Sequence, residues 1–179
     1  MKPSNIASAL ESLITARQPT MLWGAPGVGK SQTVKQVADR MFGHAAKSGK
    51  GSKKPLPYAN GHFIDLRLPL LDSVDLRGIP TVENGRTVWI PPSFLPREGH
   101  GLLFLDEIVQ APTIVQSAAS SRVLDQRIGE YVLPDGWAVV AAGNRETDSA
   151  ATQRMPSHLA HRFTPLTYDV HLEDWVTWA

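Results

Sequence analysis

The residues around which this chain is organised are Gly24-Ala25-Pro26-Gly27-Val28-Gly29-Lys30-Ser31. A short apolar run, residues 19–23, precedes them, and residues 31–41 follow with apolar side chains at helical spacing. This order predicts a strand, a glycine-rich loop and a helix. In such a loop the backbone N–H groups converge on anionic oxygens without obstruction by Cβ atoms, and the helix N-terminus adds a partial positive charge. The stretch therefore predicts a site for phosphate groups.

The polar side chains that end this loop predict the ligand more closely. Lys30 is expected to reach the β- and γ-phosphates of a nucleoside triphosphate, and the Ser31 hydroxyl is expected to coordinate Mg²⁺. ATP and Mg²⁺ are therefore the predicted ligands. The predicted nucleotide-binding residues are Gly24, Ala25, Pro26, Gly27, Val28, Gly29, Lys30, Ser31 and Gln32.

An acidic pair ends a second apolar run. Residues 101–105 are apolar throughout, as in strands buried on both faces, and Asp106 and Glu107 follow them. Ligands of open α/β sheets bind outside the carboxyl ends of the strands. We therefore expect Asp106 to hold Mg²⁺ through water and Glu107 to act as general base on the attacking water. Taken alone, an Asp-Glu pair after a strand is equally compatible with the start of an ordinary loop.

Two further residues are candidates for the reaction. Asn144 directly follows the predicted strand 137–143, where its amide could position the attacking water or sense the γ-phosphate. An ordinary turn residue is the alternative. Arg162 follows a predicted helix, and an arginine there could stabilise charge in the transition state. From the residues alone, a surface arginine is an equally good interpretation.

The remaining sequence predicts alternating strands and helices. The predicted elements are a helix over 6–16, a strand over 62–66, a β-hairpin over 79–90 around Asn84-Gly85, a helix over 112–123 and a strand over 127–133. This alternation predicts an α/β fold with a mainly parallel sheet covered by helices on both faces.

Composition and charge narrow the class of protein. With 179 residues the chain can form one sizeable core, so we expect one domain. No secretory signal is evident and there are no cysteines, which favours a cytoplasmic protein. The net charge of +1 gives no global case for nucleic-acid binding. Several lysines gather in the loop 44–57, which is either a solvated loop or a basic arm that contacts phosphates.

The elements together resemble the AAA+ ATPases, and more closely their MoxR-like branch, which carries a β-hairpin inserted near its second helix. The resemblance covers nearly the whole chain. It rests on the segments 24–31, 75–80, 103–108, 141–144 and 162–163. It implies the following roles: Walker A for Lys30 and Ser31, Walker B for Asp106 and Glu107, sensor 1 for Asn144, and for Arg162 an arginine finger that reaches a neighbouring subunit's nucleotide.

The resemblance also implies an architecture and an assembly. The implied fold is the three-layer P-loop NTPase sandwich with a parallel five-stranded sheet in the order 5-1-4-3-2. The implied assembly is a homo-oligomeric ring, often a hexamer. Residues 1–170 would form the nucleotide-binding core, and 171–179 would begin a helical lid that is truncated or absent. One departure is His161, which stands before the finger where relatives commonly carry an acidic or amide residue.

Three functions are compatible with this sequence. The first is an ATP-driven ring that remodels a protein partner, whose nature the residues do not reveal. The second is a nucleic-acid motor or restriction-type subunit, in which the hairpin and the lysine loop would line the pore. The third is a nucleotide-gated binding module without turnover, which the short tail favours.

Overall fold

The computed structural model describes residues 1–46, 62–119, 127–128, 131–145, 147–148 and 155–169. Its helices are α1 (Pro3–Thr15), α2 (Lys30–Ala46), α3 (Ser73–Arg77), α4 (Thr113–Ala119) and α5 (Ser157–Ala160). Its strands are β1 (Thr20–Trp23), β2 (Phe63–Arg67), β3 (Ile79–Glu83), β4 (Arg86–Ile90), β5 (His100–Asp106), β6 (Arg127–Ile128), β7 (Tyr131–Val132), β8 (Gly136–Gly143) and β9 (Thr164–Thr167). Among the described helices, none is both long and apolar enough to cross a membrane.

Five strands form one parallel sheet in the order β2-β5-β8-β1-β9. Numbered by their own order along the chain, these five strands read 5-1-4-3-2 from the β9 edge, so the predicted order is confirmed. All parallel strands end at the same edge of the sheet. Because β5, β8 and β1 are neighbours, the residues that follow these three strands meet at the centre of that edge.

Helices cover both faces of the sheet, as predicted. One core joins α1 and α2 to the sheet through Ile6, Leu10, Val34, Val37, Leu102, Phe104 and Val140. The other joins α3 and α4 to it through Leu76, Val115, Ala118, Leu103, Leu105, Val139 and Ala141. Successive residues of β5 and β8 thus alternate between two buried faces, which explains why both strands are apolar throughout. Each fully buried leucine of this kind stabilises the fold by about 1.5–3 kcal/mol.

The predicted hairpin is confirmed as the antiparallel pair β3 and β4. Its turn residues Asn84 and Gly85 have φ angles of 51° and 73°, and two positive φ angles are what a type I′ turn requires. The hairpin forms a sheet of its own, and Ile79 and Val82 are 70% and 73% exposed. It therefore projects from the domain with part of its apolar surface uncovered.

The prediction of one strand over 127–133 is wrong. Residues 127–128 and 131–132 are two short antiparallel strands, and Ile128 pairs with Tyr131. Because these two strands are antiparallel, they cannot be parts of one continuous strand, and an apolar pattern of this length does not distinguish the two arrangements.

Three predictions fall partly or wholly on residues outside those that the structure describes. They are the lysine loop from residue 47 onward, the end of the helix predicted to reach residue 123, and the tail 171–179. The basic-arm and lid interpretations therefore stay predictions.

Candidate functional site

The glycine loop, residues 24–31, connects β1 to α2 at the centre of the sheet edge. Gly29 has a φ of 94°, a conformation that side-chain-bearing residues rarely adopt. Gly24 is required for a different reason: a Cβ there would lie 2.9 Å from Cβ of Tyr168. The loop thus needs glycine both for its own bend and for the close approach of the chain beside it.

Lys30 is turned inward on its own loop. Its Nζ donates to the carbonyl oxygens of Gly24 and Ala25, each at 2.8 Å, and to Oδ1 of Asn144 at 2.9 Å. The residue is only 8% exposed, and burial lowers the pKa of the Lys30 ammonium below its usual value. The charge of Asp106 opposes this shift. A buried cation held by neutral oxygens is suited to bind an anion that enters the loop.

Ser31 and Asp106 form the second contact of the site. Ser31 Oγ donates to Asp106 Oδ2 at 2.7 Å, and the backbone N–H of Glu107 donates to Asp106 Oδ1 at 2.9 Å. Hydroxyl and carboxylate oxygens are the ligands that Mg²⁺ prefers, and Mg²⁺ usually takes its other ligands from water and substrate phosphates. The residue types and their spacing therefore fit the predicted metal.

Glu107 has a φ of 57° and lies in the left-handed region. For a residue other than glycine this conformation costs about 1–2 kcal/mol. This backbone conformation turns the chain sharply after β5, directly beside Asp106. Backbone strain of this kind concentrates at functional sites, where a side chain has to be aimed in a particular direction.

The structure brings Lys30, Ser31, Asp106 and Asn144 together and places Glu107 next to them. Arg162 is different. It precedes β9, whose four residues pair one for one with β1, and β1 ends at the glycine loop. Four strand residues span about 13 Å. Arg162 is therefore exposed at the opposite edge of the sheet and does not reach its own chain's glycine loop.

The sequence did not single out Tyr168, which braces the glycine loop at both ends. Its backbone N–H donates to the Trp23 carbonyl at 2.6 Å, and its hydroxyl lies 3.2 Å from Thr33 Oγ1 on α2. The side chain is buried, 6% exposed. Nothing local marks this residue, because its role follows from the pairing of β9 with β1.

Two charged residues near the site were also missed. Arg145, directly after Asn144, donates to Asp169 Oδ1 at 3.0 Å and so ties the end of β8 to the segment after β9. Asp65 lies on β2, and burial followed by the charge of Asp106 raises the pKa of its carboxyl. Acidic residues on strands are common, so no signal in the sequence distinguishes Asp65 from a solvated one.

Comparison with solved structures identifies the fold. A candidate ATPase from Cytophaga hutchinsonii is 20% identical with a TM-score of 0.61, and the match covers 97% of this chain and 48% of that one. NtrX from Brucella abortus, crystallised with ATP, is 20% identical with a TM-score of 0.53 over 92% of this chain and 35% of NtrX. This chain thus spans about half the length of the first protein and about a third of the second. No family model and no curated protein matches it.

At such identities the likeness establishes the fold. The chain therefore has the α/β fold of these two solved structures, with a glycine loop, a buried lysine and an acidic strand end at the carboxyl edge of its sheet.

Proposed function

We propose that this chain is a domain that binds and hydrolyses ATP with Mg²⁺. The observation that carries the proposal is the meeting of Lys30, Ser31, Asp106 and Asn144 at one sheet edge, with Glu107 beside them. NtrX, which shares the fold, was crystallised in complex with ATP and, in a separate structure, in complex with ADP.

Each residue has a distinct part in the proposed reaction. Lys30 exchanges its carbonyl partners for β- and γ-phosphate oxygens, and Asn144, released from Lys30, orients the attacking water. Glu107 accepts a proton from that water. At the same time the water oxygen bonds to the γ-phosphorus, and the bond between the γ-phosphorus and the ADP oxygen breaks. Mg²⁺, held through Ser31 and Asp106, would offset the phosphate charge.

The finer proposal is an AAA+ domain of the MoxR-like kind that acts as a homo-oligomeric ring and remodels a protein partner. Its support is the inserted hairpin together with the position of Arg162. Because Arg162 is about 13 Å of strand away from its own glycine loop, it can act on a nucleotide only in another subunit. Turnover measured together with assembly state, with and without ATP, tests this proposal. If the monomeric protein hydrolyses ATP as fast as the assembled protein, the proposal is contradicted.

Replacing Lys30 with alanine is expected to weaken ATP binding by about 10- to 150-fold, because hydrogen bonds to charged groups contribute about 1.5–3 kcal/mol. The measurement is ATP titration by calorimetry. Lys35→Ala is the matched control, since Lys35 lies on the same helix but is 45% exposed and pairs with Asp39. Equal losses in the two variants would show that Lys30 has no special contact with phosphate.

Replacing Tyr168 with phenylalanine is expected to weaken ATP binding by about 2- to 10-fold, because one hydrogen bond to the helix of the glycine loop is lost, worth about 0.5–1.5 kcal/mol. Tyr131→Phe removes the same hydroxyl at a remote position, where it donates to the Pro96 carbonyl. ATP affinity unchanged in Tyr168→Phe would mean that the ring alone braces the loop.

A further inference from the structure

A groove of about 1200 Å³ lies beside β2, away from the glycine loop. One wall is β2 itself, and the opposite wall is built from the base of the hairpin and the segment 91–97. The residues of the groove used below are Phe63, Asp65, Arg67, Ile90, Phe94 and Arg97. None of these residues is among those proposed to hold the nucleotide or Mg²⁺, and Asp65 is the one whose carboxyl is affected by the charge of Asp106.

The backbone of β2 supplies hydrogen-bonding groups on this side. β2 is the last strand of the sheet, and β5 is its sole partner among the described strands. The Leu102 N–H donates to the His62 carbonyl at 2.8 Å, so His62 faces β5. Because successive residues of a strand point their backbone groups to opposite sides, those of Phe63, Asp65 and Arg67 point away from β5. These are the three outward β2 residues, and all three line the groove.

The charged side chains around the groove are Lys35, Arg67 and Arg97 against Asp65 and Asp75, so the lining carries one net positive charge. Arg67 and Arg97 form no ion pair with any residue that the structure describes. Of the other rim charges, Lys35 pairs with Asp39 at 3.5 Å, and Asp75 accepts one hydrogen bond from the Asp72 N–H at 2.8 Å. The charge of Arg67 also acts on the Asp65 carboxyl, whose pKa it lowers against the larger effect of burial.

Phe94 and Ile90 contribute apolar surface to the groove, and Ile90 is 45% exposed, whereas Phe63 is only 5% exposed and belongs to the core. The groove therefore offers a strand edge that no described strand pairs with, and two arginines that form no ion pair with a described residue.

We propose that the groove binds an extended acidic peptide of a partner protein, which adds a sixth strand to the sheet beside β2. An open strand edge recognises a peptide backbone, and pockets along it select alternate side chains. Acidic side chains of the peptide pair with Arg67 and Arg97, and its apolar side chains lie against Phe94 and Ile90. This binding is independent of ATP, so it can fail without affecting the proposed hydrolysis.

The probe is an acetylated, fluorescein-labelled heptapeptide of alternating valine and glutamate, titrated by fluorescence anisotropy without nucleotide. Saturable binding is expected for it. Binding is expected to be lost when lysine replaces each glutamate, and also when every peptide bond is N-methylated, since N-methylation removes the backbone donors. If the N-methylated peptide binds equally well, strand addition is overturned.

Protein variants separate charge from backbone. Arg97→Gln is expected to weaken peptide binding about tenfold, whereas Arg86→Gln, on the hairpin outside the groove, is expected to leave it unchanged. Asp65→Pro removes one outward N–H while sparing the ladder to β5, as proline on an edge strand can. It is expected to abolish binding, whereas Asp65→Ala, which keeps the N–H, retains it. Equal affinity of the alanine and proline variants contradicts the proposal.

Hydrogen exchange provides a readout that does not depend on variants. On adding the valine-glutamate peptide, the amides of Phe63, Asp65 and Arg67 are expected to slow at least tenfold, while those of Ile64 and Leu66, already bonded to β5, change little. Slow exchange of all five amides in the free protein would show that the edge is already covered. Slowing that depends on protein concentration without peptide would identify a second copy of the chain as the occupant, and either result overturns the proposal.

Discussion

Glu107→Gln is expected to lower ATP turnover by about 10²- to 10⁴-fold, which is the usual contribution of a general base. The amide has nearly the size of the carboxylate but cannot accept the proton of the attacking water. ATP affinity is expected to stay within about twofold, because Lys30, Ser31 and Asp106 are untouched and the Glu107 N–H still donates to Asp106. Phosphate release under saturating ATP, paired with ATP titration, measures both quantities.

Two variants serve as references for this experiment. Glu83→Gln makes the same change in the hairpin and is expected to turn over ATP at the wild-type rate. Asp65→Asn tests the other carboxyl near Asp106, whose raised pKa makes it a competing proton acceptor. If Glu107→Gln keeps full ATP turnover and Asp65→Asn loses it, Asp65 and not Glu107 is the general base.

Arg162→Ala is expected to slow hydrolysis about 10³-fold in the assembled protein, at the lower end of what an arginine finger contributes. ATP binding by each subunit is expected to be unchanged, because Arg162 lies at the sheet edge opposite its own glycine loop. Below the concentration at which subunits assemble, variant and wild type should have equally low turnover. Rates measured over a dilution series, with assembly followed by light scattering, test both statements.

Mixing two inactive variants tests directly whether the finger acts between subunits. Arg162→Ala subunits keep Glu107, and Glu107→Gln subunits keep Arg162, so a mixed ring contains some complete sites. With equal amounts and random assembly, about one site in four joins an intact Glu107 to an intact Arg162 across a head-to-tail interface. Turnover should recover accordingly. No recovery in demonstrably mixed rings would rule out the finger role for Arg162.

Much of the fold could be predicted because the decisive signals are local. The glycines of the loop, the apolar runs of β5 and β8, and Asn84-Gly85 each require a particular backbone conformation or burial in their own segment. The strand order came from the family resemblance and not from such patterns. The stretch 127–133 shows the limit, because its short apolar pattern fits a strand and a hairpin equally well.

The sequence by itself determined the positions of Lys30 and Ser31 in the glycine loop and of Asp106 at a strand end, because these positions follow from neighbouring residues. That these residues bind phosphate and a metal stays a prediction. Only the tertiary structure placed Asn144 on Lys30, Tyr168 against the glycine loop, and Arg162 at the far edge of the sheet. The position of β2 at the edge of the sheet, with β5 as its partner among the described strands, likewise follows only from the strand order. Such contacts join segments distant along the chain, and they depend on sheet pairing, which no single stretch of sequence encodes.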